Sequence, residues 1–244
     1  IAHELGHAIF CYPDLYDTSY NSSGIGVFGL MSHGAHSRKE GEYGGATPVH
    51  LMAWSKYKSD GSWCYNWYGN TANYNGVVFE LPDNISSSTS SVTLYHSTHT
   101  NFNTKIINIS GKTKEYFMLE NIGHEGYQAG LDYIIAGSDG FENEGRIDTS
   151  GIAIWHIDDN QSNNNDSTHK LVDLEEAADA GMDLPGSNPN SHSGKQTNLF
   201  FSGNKTEFSD STDPNSKTYS GTSSGITINN ISARGDSMTF DITF

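Results

Sequence analysis

The chain has 244 residues, of which 34% are hydrophobic, and its formal net charge at pH 7 is −16. This charge repels nucleic-acid phosphates and anionic membrane surfaces, so neither is expected as a partner. We also expect no membrane span, because no stretch approaches the roughly 20 consecutive apolar residues that one needs. The abundance of Gly, Ser, Asn, Thr and Tyr favours a loop-rich, β-rich extracellular protein over a helical cytosolic one.

The predicted elements begin with a short helix and end with strands. Residues 1 to about 12 form a helix that Pro13 ends, and residues 14–50 are typical of an active-site loop region. Pro48 precedes a second short helix over residues 49–58. Alternating or short apolar runs predict strands, and turn residues predict a polar loop and a terminal hairpin around Gly235-Asp236. The strands cover 77–81, 91–95, 115–120 and 151–157, the polar loop 158–169 and the hairpin 225–244.

The strongest functional signal is the His-Glu-x-x-His pattern of residues 3–7. Residues four apart lie on one face of a helix, so His3 and His7 can offer two imidazoles to one metal ion. Zinc lowers the pKa of a bound water toward neutrality, and Glu4 is placed to accept the proton of that water. The pattern therefore predicts a zinc-dependent hydrolase with Glu4 as general base.

A catalytic zinc ion needs three protein ligands and one open position. The helix supplies two, and Asp14, just after the helix-ending Pro13, is the nearest candidate for the third. Asp17 is a poorer second candidate. A short helix followed by a loop allows returns of many lengths, so further alternatives are His33, His36, Glu40, Glu42 and His50.

Several segments together resemble the immune inhibitor A-type secreted zinc metallopeptidases. They are HELGH at 3–7, PDLYD at 13–17, GLMSHG at 29–34, AWSKY at 53–57 after Pro48, YFMLEN at 116–121, GIAIWHID at 151–158, EEAAD at 175–179 and SGITI at 224–228. These motifs span most of the chain and follow the family's order. One departure concerns the zinc site: the family commonly places Gly three residues after the second His and the acidic ligand three further on. Here Phe10 occupies the Gly position and Asp14 lies one residue late.

The resemblance implies a secreted zinc endopeptidase of the metzincin-like kind, made as a zymogen and often carrying calcium. It implies an α+β fold, with a zincin-like active-site helix and a Met-turn loop in which Met31 is the apolar floor beneath the metal. Residues 1–75 would be the C-terminal part of the catalytic domain, and residues 76–244 a β-rich region packed on it or continuous with it. Because residues 1–4 already resemble the middle of a helix, we expect an upstream part of the domain, or a propeptide, as a further partner.

Other residues suggest secondary roles. Tyr43, His33 or His36 could stabilise an oxyanion, and nothing in the sequence chooses among them. His156 could belong to a second metal site, although a strand histidine bonded to a neighbour is the commoner outcome. The Asp- and Asn-rich residues 158–166 could bind calcium, but they lack the EF-hand spacing.

A cysteine pair and several glycosylation sequons are typical of an extracellular chain. Cys11 and Cys64 are an even pair that could form a disulfide bridge. Asn-x-Ser/Thr sequons permit glycosylation at Asn21, Asn84, Asn108, Asn160, Asn165, Asn204 and Asn230.

The favoured function is a secreted zinc-dependent endopeptidase acting on protein or peptide substrates. The alternative is a non-catalytic secreted structural or binding glycoprotein that retains the metallopeptidase fold.

Overall fold

The computed structural model describes residues 1–39, 41–58, 83–96, 98–99, 101–136, 142–146, 150–183 and 194–244. These residues include two α-helices, α1 (Ala2–Phe10) and α2 (Ala53–Tyr57). Their strands are β1 (Asp83–Ile85), β2 (Thr89–Tyr95), β3 (Lys105–Asn108), β4 (Glu115–Ile122), β5 (Tyr133–Ala136), β6 (Glu142–Arg146), β7 (Gly151–Asp158), β8 (Val172–Leu174), β9 (Thr227–Asn229) and β10 (Ser237–Thr243). The predicted α+β class is confirmed, with few helices and mostly sheet.

A five-stranded sheet in the order β1-β3-β4-β7-β8 lies between two hydrophobic cores. Its central strands β4 and β7 pair antiparallel along their whole length, from Glu115 opposite Asp158 to Ile122 opposite Gly151. Every residue of both strands is buried. The sequence predicted both strands to within two residues, because apolar runs rich in aromatic and β-branched residues suit strands that are covered on both faces.

Alternation along β4 and β7 sends successive side chains to opposite cores. Met118 and Trp155 pack in the first core, with buried residues of the segment 12–54. Phe117 and Ile154 pack in the second core, with residues of β2, β9 and β10. The sheet is therefore the support on which the loop region after α1 rests.

The C-terminal strands form a three-stranded sheet in the order β2-β10-β9. β9 and β10 pair antiparallel about Gly235, with Asn229 opposite Asp241 and Thr227 opposite Thr243, so the hairpin predicted around Gly235-Asp236 is confirmed. The carbonyl oxygen of Gly235 accepts a hydrogen bond from Asn121 Nδ2 at 2.9 Å, and that of Asp236 accepts one from the His96 amide at 2.8 Å. These bonds and the pairing of β10 with β2 join the hairpin to the rest of the β-rich region.

Both helices are shorter than predicted. α1 ends at Phe10 because Cys11 adopts the left-handed conformation, with φ 55°, which closes a helix at its C-terminus. α2 starts at Ala53 instead of residue 49, where the Ala53 amide donates a 2.8 Å hydrogen bond to the Glu120 carboxylate on β4. Tertiary contact sets the start of α2, so sequence spacing placed it imprecisely.

Three predictions fall on residues outside the described ranges: the strand at 77–81, the boundary at 75/76 and the state of Cys64. Cys11 itself is disulfide-bonded. Among the described helices, none is long and apolar enough to cross a membrane.

Candidate metal centre

The histidines of α1 meet the first acidic residue after the helix. His3 Nε2 lies 3.1 Å from His7 Nε2, as their spacing of four residues predicts. One carboxylate oxygen of Asp14 lies 3.0 Å from His3 Nε2 and 3.1 Å from His7 Nε2. Among the described residues, these three form the one group of His, Cys, Asp and Glu side chains close enough to hold a metal ion.

The other ring nitrogen of each histidine is held by a backbone carbonyl. His3 Nδ1 lies 2.9 Å from the Leu30 carbonyl oxygen, and His7 Nδ1 lies 2.6 Å from that of Tyr12. A carbonyl oxygen can only accept, so each Nδ1 carries the hydrogen and a neutral ring leaves Nε2 as an acceptor. Three acceptor atoms then converge within 3.1 Å, an arrangement that needs a cation or an added proton between them.

Asp14 reaches the histidines because the chain reverses immediately after α1. The left-handed Cys11 turns the backbone, and Tyr12 packs back on Phe10 with ring centroids 5.3 Å apart. Leu15, fully buried, then donates its amide to the Met31 carbonyl at 2.8 Å. This path accommodates the late position of the acidic residue in the sequence.

Met31 lies directly beneath α1 and is 1% exposed. A Cβ atom added at Gly6 would lie 2.4 Å from Met31 Sδ, which is too close. The helix can therefore approach the Met31 side chain this closely only because residue 6 is glycine. The adjacent Leu30 carbonyl holds His3. The segment around Met31 thus supports the candidate metal centre through packing and through one hydrogen bond.

The alternative third ligands lie elsewhere or have other partners. Asp17 is buried, and its carboxylate accepts the amides of Ser19, Asn21 and Ser22 at 2.7–3.1 Å. The Glu42 carboxylate accepts from the Lys39 amide at 2.9 Å and from Thr47 Oγ1 at 2.5 Å, and these bonds lower its pKa.

The histidine alternatives also lie outside the group of candidate ligands. Burial lowers the pKa of His50 to about 3, and burial together with the neighbouring His36 lowers the pKa of His33 to about 4. Neither these histidines nor His36 joins the group formed by His3, His7 and Asp14. Glu40 lies outside the described residues.

A cleft of about 920 Å³ opens beside the candidate metal centre. His3 and Glu4 form part of its wall, with Tyr16, Tyr20 and His33. Burial and the negative charge of Asp14 raise the pKa of Tyr16. Tyr43, predicted as a possible oxyanion stabiliser, is 90% exposed and is not among the described residues that line this cleft.

The β-rich region holds the rim of the cleft in place. The side-chain oxygen of Asn165 accepts both the amide and the hydroxyl of Thr18 at 2.8 Å. Asn164, fully buried, donates to the carbonyl oxygens of Leu15 and Val172 at 2.9 and 2.8 Å. Residues 158–169 were predicted to be an exposed polar loop, and this prediction is wrong for Asn164, which is buried. The composition of the loop did not reveal the distant partners of this residue.

His156, considered as a second metal ligand, lies between two carboxylates. Its Nδ1 is 3.1 Å from Glu175 and its Nε2 is 3.2 Å from Glu115, while its ring stacks on Tyr219 at 4.2 Å. Burial alone would lower the pKa of His156, but the two carboxylates raise it to about 9. A protonated imidazole has no free lone pair for a metal, so the strand-histidine interpretation fits this geometry.

No protein-family model matches the chain, and no curated protein matches it significantly. The function is therefore inferred from the geometry and chemistry of the candidate metal centre. Tyr16, Tyr20 and Asn164 are the site residues that sequence reasoning missed. Tyr16 belongs to the PDLYD segment, which was the one available signal, whereas Tyr20 and Asn164 carry none.

Proposed function

We propose that this protein is a zinc-dependent peptidase that hydrolyses peptide bonds, with His3, His7 and Asp14 as metal ligands and Glu4 as general base. The observation that carries the proposal is the convergence of three acceptor atoms within 3.1 Å on the wall of an open cleft. The resemblance of the motifs to immune inhibitor A-type peptidases supports the same activity, a zincin-like fold and secretion.

The donor set suits zinc in number, chemistry and spacing. Two imidazoles and one carboxylate are characteristic of catalytic zinc sites, which keep a fourth position open. Zinc–ligand bonds of about 2.0–2.1 Å in a tetrahedron separate the ligand atoms by about 3.3 Å. The separations of 3.0–3.1 Å are a few tenths of an ångström shorter, a difference that small side-chain rotations would remove. Both Nδ1 atoms are already held in the tautomer that leaves Nε2 free.

Each cleft residue then has a definite task. Bound zinc would supply Lewis acidity and lower the pKa of a water molecule at the site. The carboxylate of Glu4, exposed in the cleft wall, would take the proton of the attacking water and deliver it to the departing amine. Tyr16, whose pKa is raised by burial and by the charge of Asp14, would remain a neutral hydroxyl group in the cleft wall.

The first experiment measures metal content and peptidase activity on the same preparations. We expect about one zinc ion per chain in the wild type, as for a single catalytic site. Glu4→Gln should keep the zinc and lose casein cleavage, whereas His7→Ala should lose both. His36→Ala is the matched control for zinc content, since His36 also lines the cleft but lies outside the ligand group.

Two results would contradict the proposal. The first is equal zinc content in the wild type and in His7→Ala, which would place the metal elsewhere. The second is casein cleavage by Glu4→Gln at the wild-type rate, which would exclude Glu4 as the base. A wild-type chain that binds zinc but cleaves no peptide would support the non-catalytic alternative.

A further inference from the structure

The mouth of the cleft carries one large aromatic side chain that the proposed chemistry does not use. Tyr20 is 66% exposed and lines the same cleft as His3 and Glu4. An exposed aromatic ring offers a large apolar contact area with two rotatable side-chain bonds, which makes it a common anchor for binding partners. Its position beside the reacting groups places that area where a substrate must pass.

The backbone that carries this ring is held in a defined conformation. Tyr20 has a left-handed backbone, with φ 60°, which a bulky residue rarely adopts without external constraints. The constraint is Asp17: its backbone carbonyl accepts the Tyr20 amide at 3.0 Å, and its buried carboxylate accepts the amides of Ser19, Asn21 and Ser22. Such a loop loses little backbone conformational entropy when its side chains bind a ligand.

The same loop is attached to the β-rich region, so it cannot move freely away from the cleft. Thr18 donates two hydrogen bonds to Asn165, both at 2.8 Å. Three residues after Tyr20, the Ser23 amide donates to the Met182 carbonyl at 2.9 Å. Anchors on both sides of Tyr20 keep its ring at the cleft mouth.

The surrounding wall favours an apolar ligand group. Val27, Ala35 and Pro48 form an apolar part of the wall that Tyr20 also lines, while Arg38 and several histidine and serine residues form its polar part. The chain's net charge of −16 disfavours the approach of acidic peptides. Apolar walls beside an aromatic ring match an aromatic or bulky aliphatic side chain.

We propose that Tyr20 is a specificity-determining residue, whose ring contacts an aromatic or bulky apolar side chain of the peptide substrate beside the scissile bond. This inference rests on the proposed peptidase function and adds a substrate class to it. Tyr20 acts on the substrate's side chain, not on the reacting atoms. Its loss should therefore raise KM for the preferred substrates and leave kcat nearly unchanged.

The test compares short fluorogenic peptides that differ only in carrying Phe, Leu, Ala or Asp beside a fixed cleavable bond. The wild type should prefer Phe and Leu over Ala, and Tyr20→Ala should reduce that preference about ten-fold, the scale of apolar side-chain discrimination. Tyr20→Phe should retain it, because the ring remains. Tyr43→Ala is the matched control, since Tyr43 is an exposed tyrosine outside the described lining of the cleft.

Binding of the same peptides to the Glu4→Gln protein, measured by calorimetry, separates the two proposals. A Phe-over-Ala binding preference that Tyr20→Ala removes supports the role of Tyr20, even if the wild type proves not to cleave peptides. A preference that persists in Tyr20→Ala, or that Tyr43→Ala removes equally, overturns it. Wild-type protein that neither prefers nor binds the Phe and Leu peptides also overturns it, whatever its activity on casein.

Discussion

We expect replacement of His156 by glutamine to remove a pH-dependent part of the free energy of unfolding. The side chain is 4% exposed and bonded to Glu115 and Glu175, which raise its pKa in the folded state from 6.5 to about 9. The difference corresponds to about 3 kcal/mol favouring the folded, protonated state. Because the folded pKa is the higher one, this stabilisation is complete below pH 6.5 and disappears as the pH rises through 9.

The partner carboxylate sets the acidic limit of the same interaction. Burial opposes ionisation of Glu115, but hydrogen bonds from His156, Tyr219 and Lys112 lower its pKa to about 2. A lowered carboxylate pKa contributes stability above the ordinary value of 4.5 that is lost as the pH falls toward 2. The stabilisation from this pair should therefore be greatest between pH 4.5 and 6.5.

The assay is urea denaturation at a series of pH values from 5.5 to 9.5, roughly the interval over which the His156 proton is lost. The wild type should lose stability relative to His156→Gln as the pH rises, by up to about 3 kcal/mol. Glu175→Gln, which removes one of the two carboxylates, should show an intermediate loss. Parallel curves for the wild type and His156→Gln over the whole range would refute the assignment of a charged His156.

Three further substitutions test the packing around the candidate centre. Gly6→Ala places a methyl group against Met31, so stability should fall by about 1–3 kcal/mol and zinc affinity with it, as urea denaturation and zinc titration can measure; unchanged values would contradict the close approach. Asn164→Ala leaves the buried backbone groups it bonds without partners, so a loss of about 1–3 kcal/mol and faster proteolysis of the 17–22 loop are expected. Glu120→Ala leaves the fully buried Lys56 without its carboxylate partner, so the free energy of unfolding should fall by about 3–5 kcal/mol in thermal or urea denaturation. A fall below about 1 kcal/mol would show that the pair is not buried as described.

Local patterns were sufficient where a signal lies within a few residues. The spacing of His3 and His7 on a helix predicts that their imidazoles meet, and they lie 3.1 Å apart. The apolar runs of β4 and β7 predict buried strands, because nothing in them suits an exposed face. Asp14 was the preferred candidate for the third metal ligand for a local reason too, because it follows the residue predicted to end the helix.

Signals that depend on distant partners were not predictable in the same way. Asn164 lies in a segment with an ordinary loop composition. It is nevertheless buried, because its side chain donates hydrogen bonds to the backbone carbonyls of Leu15 and Val172. The start of α2 depends on Glu120 in β4, 67 residues away along the chain. The hairpin around Gly235-Asp236 was predictable from its local turn residues, whereas the pairing of β10 with the distant strand β2 was not.

The sequence by itself determined the α+β class, the two central strands and the residues of the candidate metal centre, since periodicity and helical spacing are properties of neighbouring residues. Only the tertiary structure decided how the Leu30 carbonyl orients His3 and how Asn165 and Met182 hold the loop that carries Tyr20. Those features arise from contacts between segments whose separation in the chain bears no relation to their distance in space. A pattern of residue types specifies which groups are available, and packing specifies which of them meet.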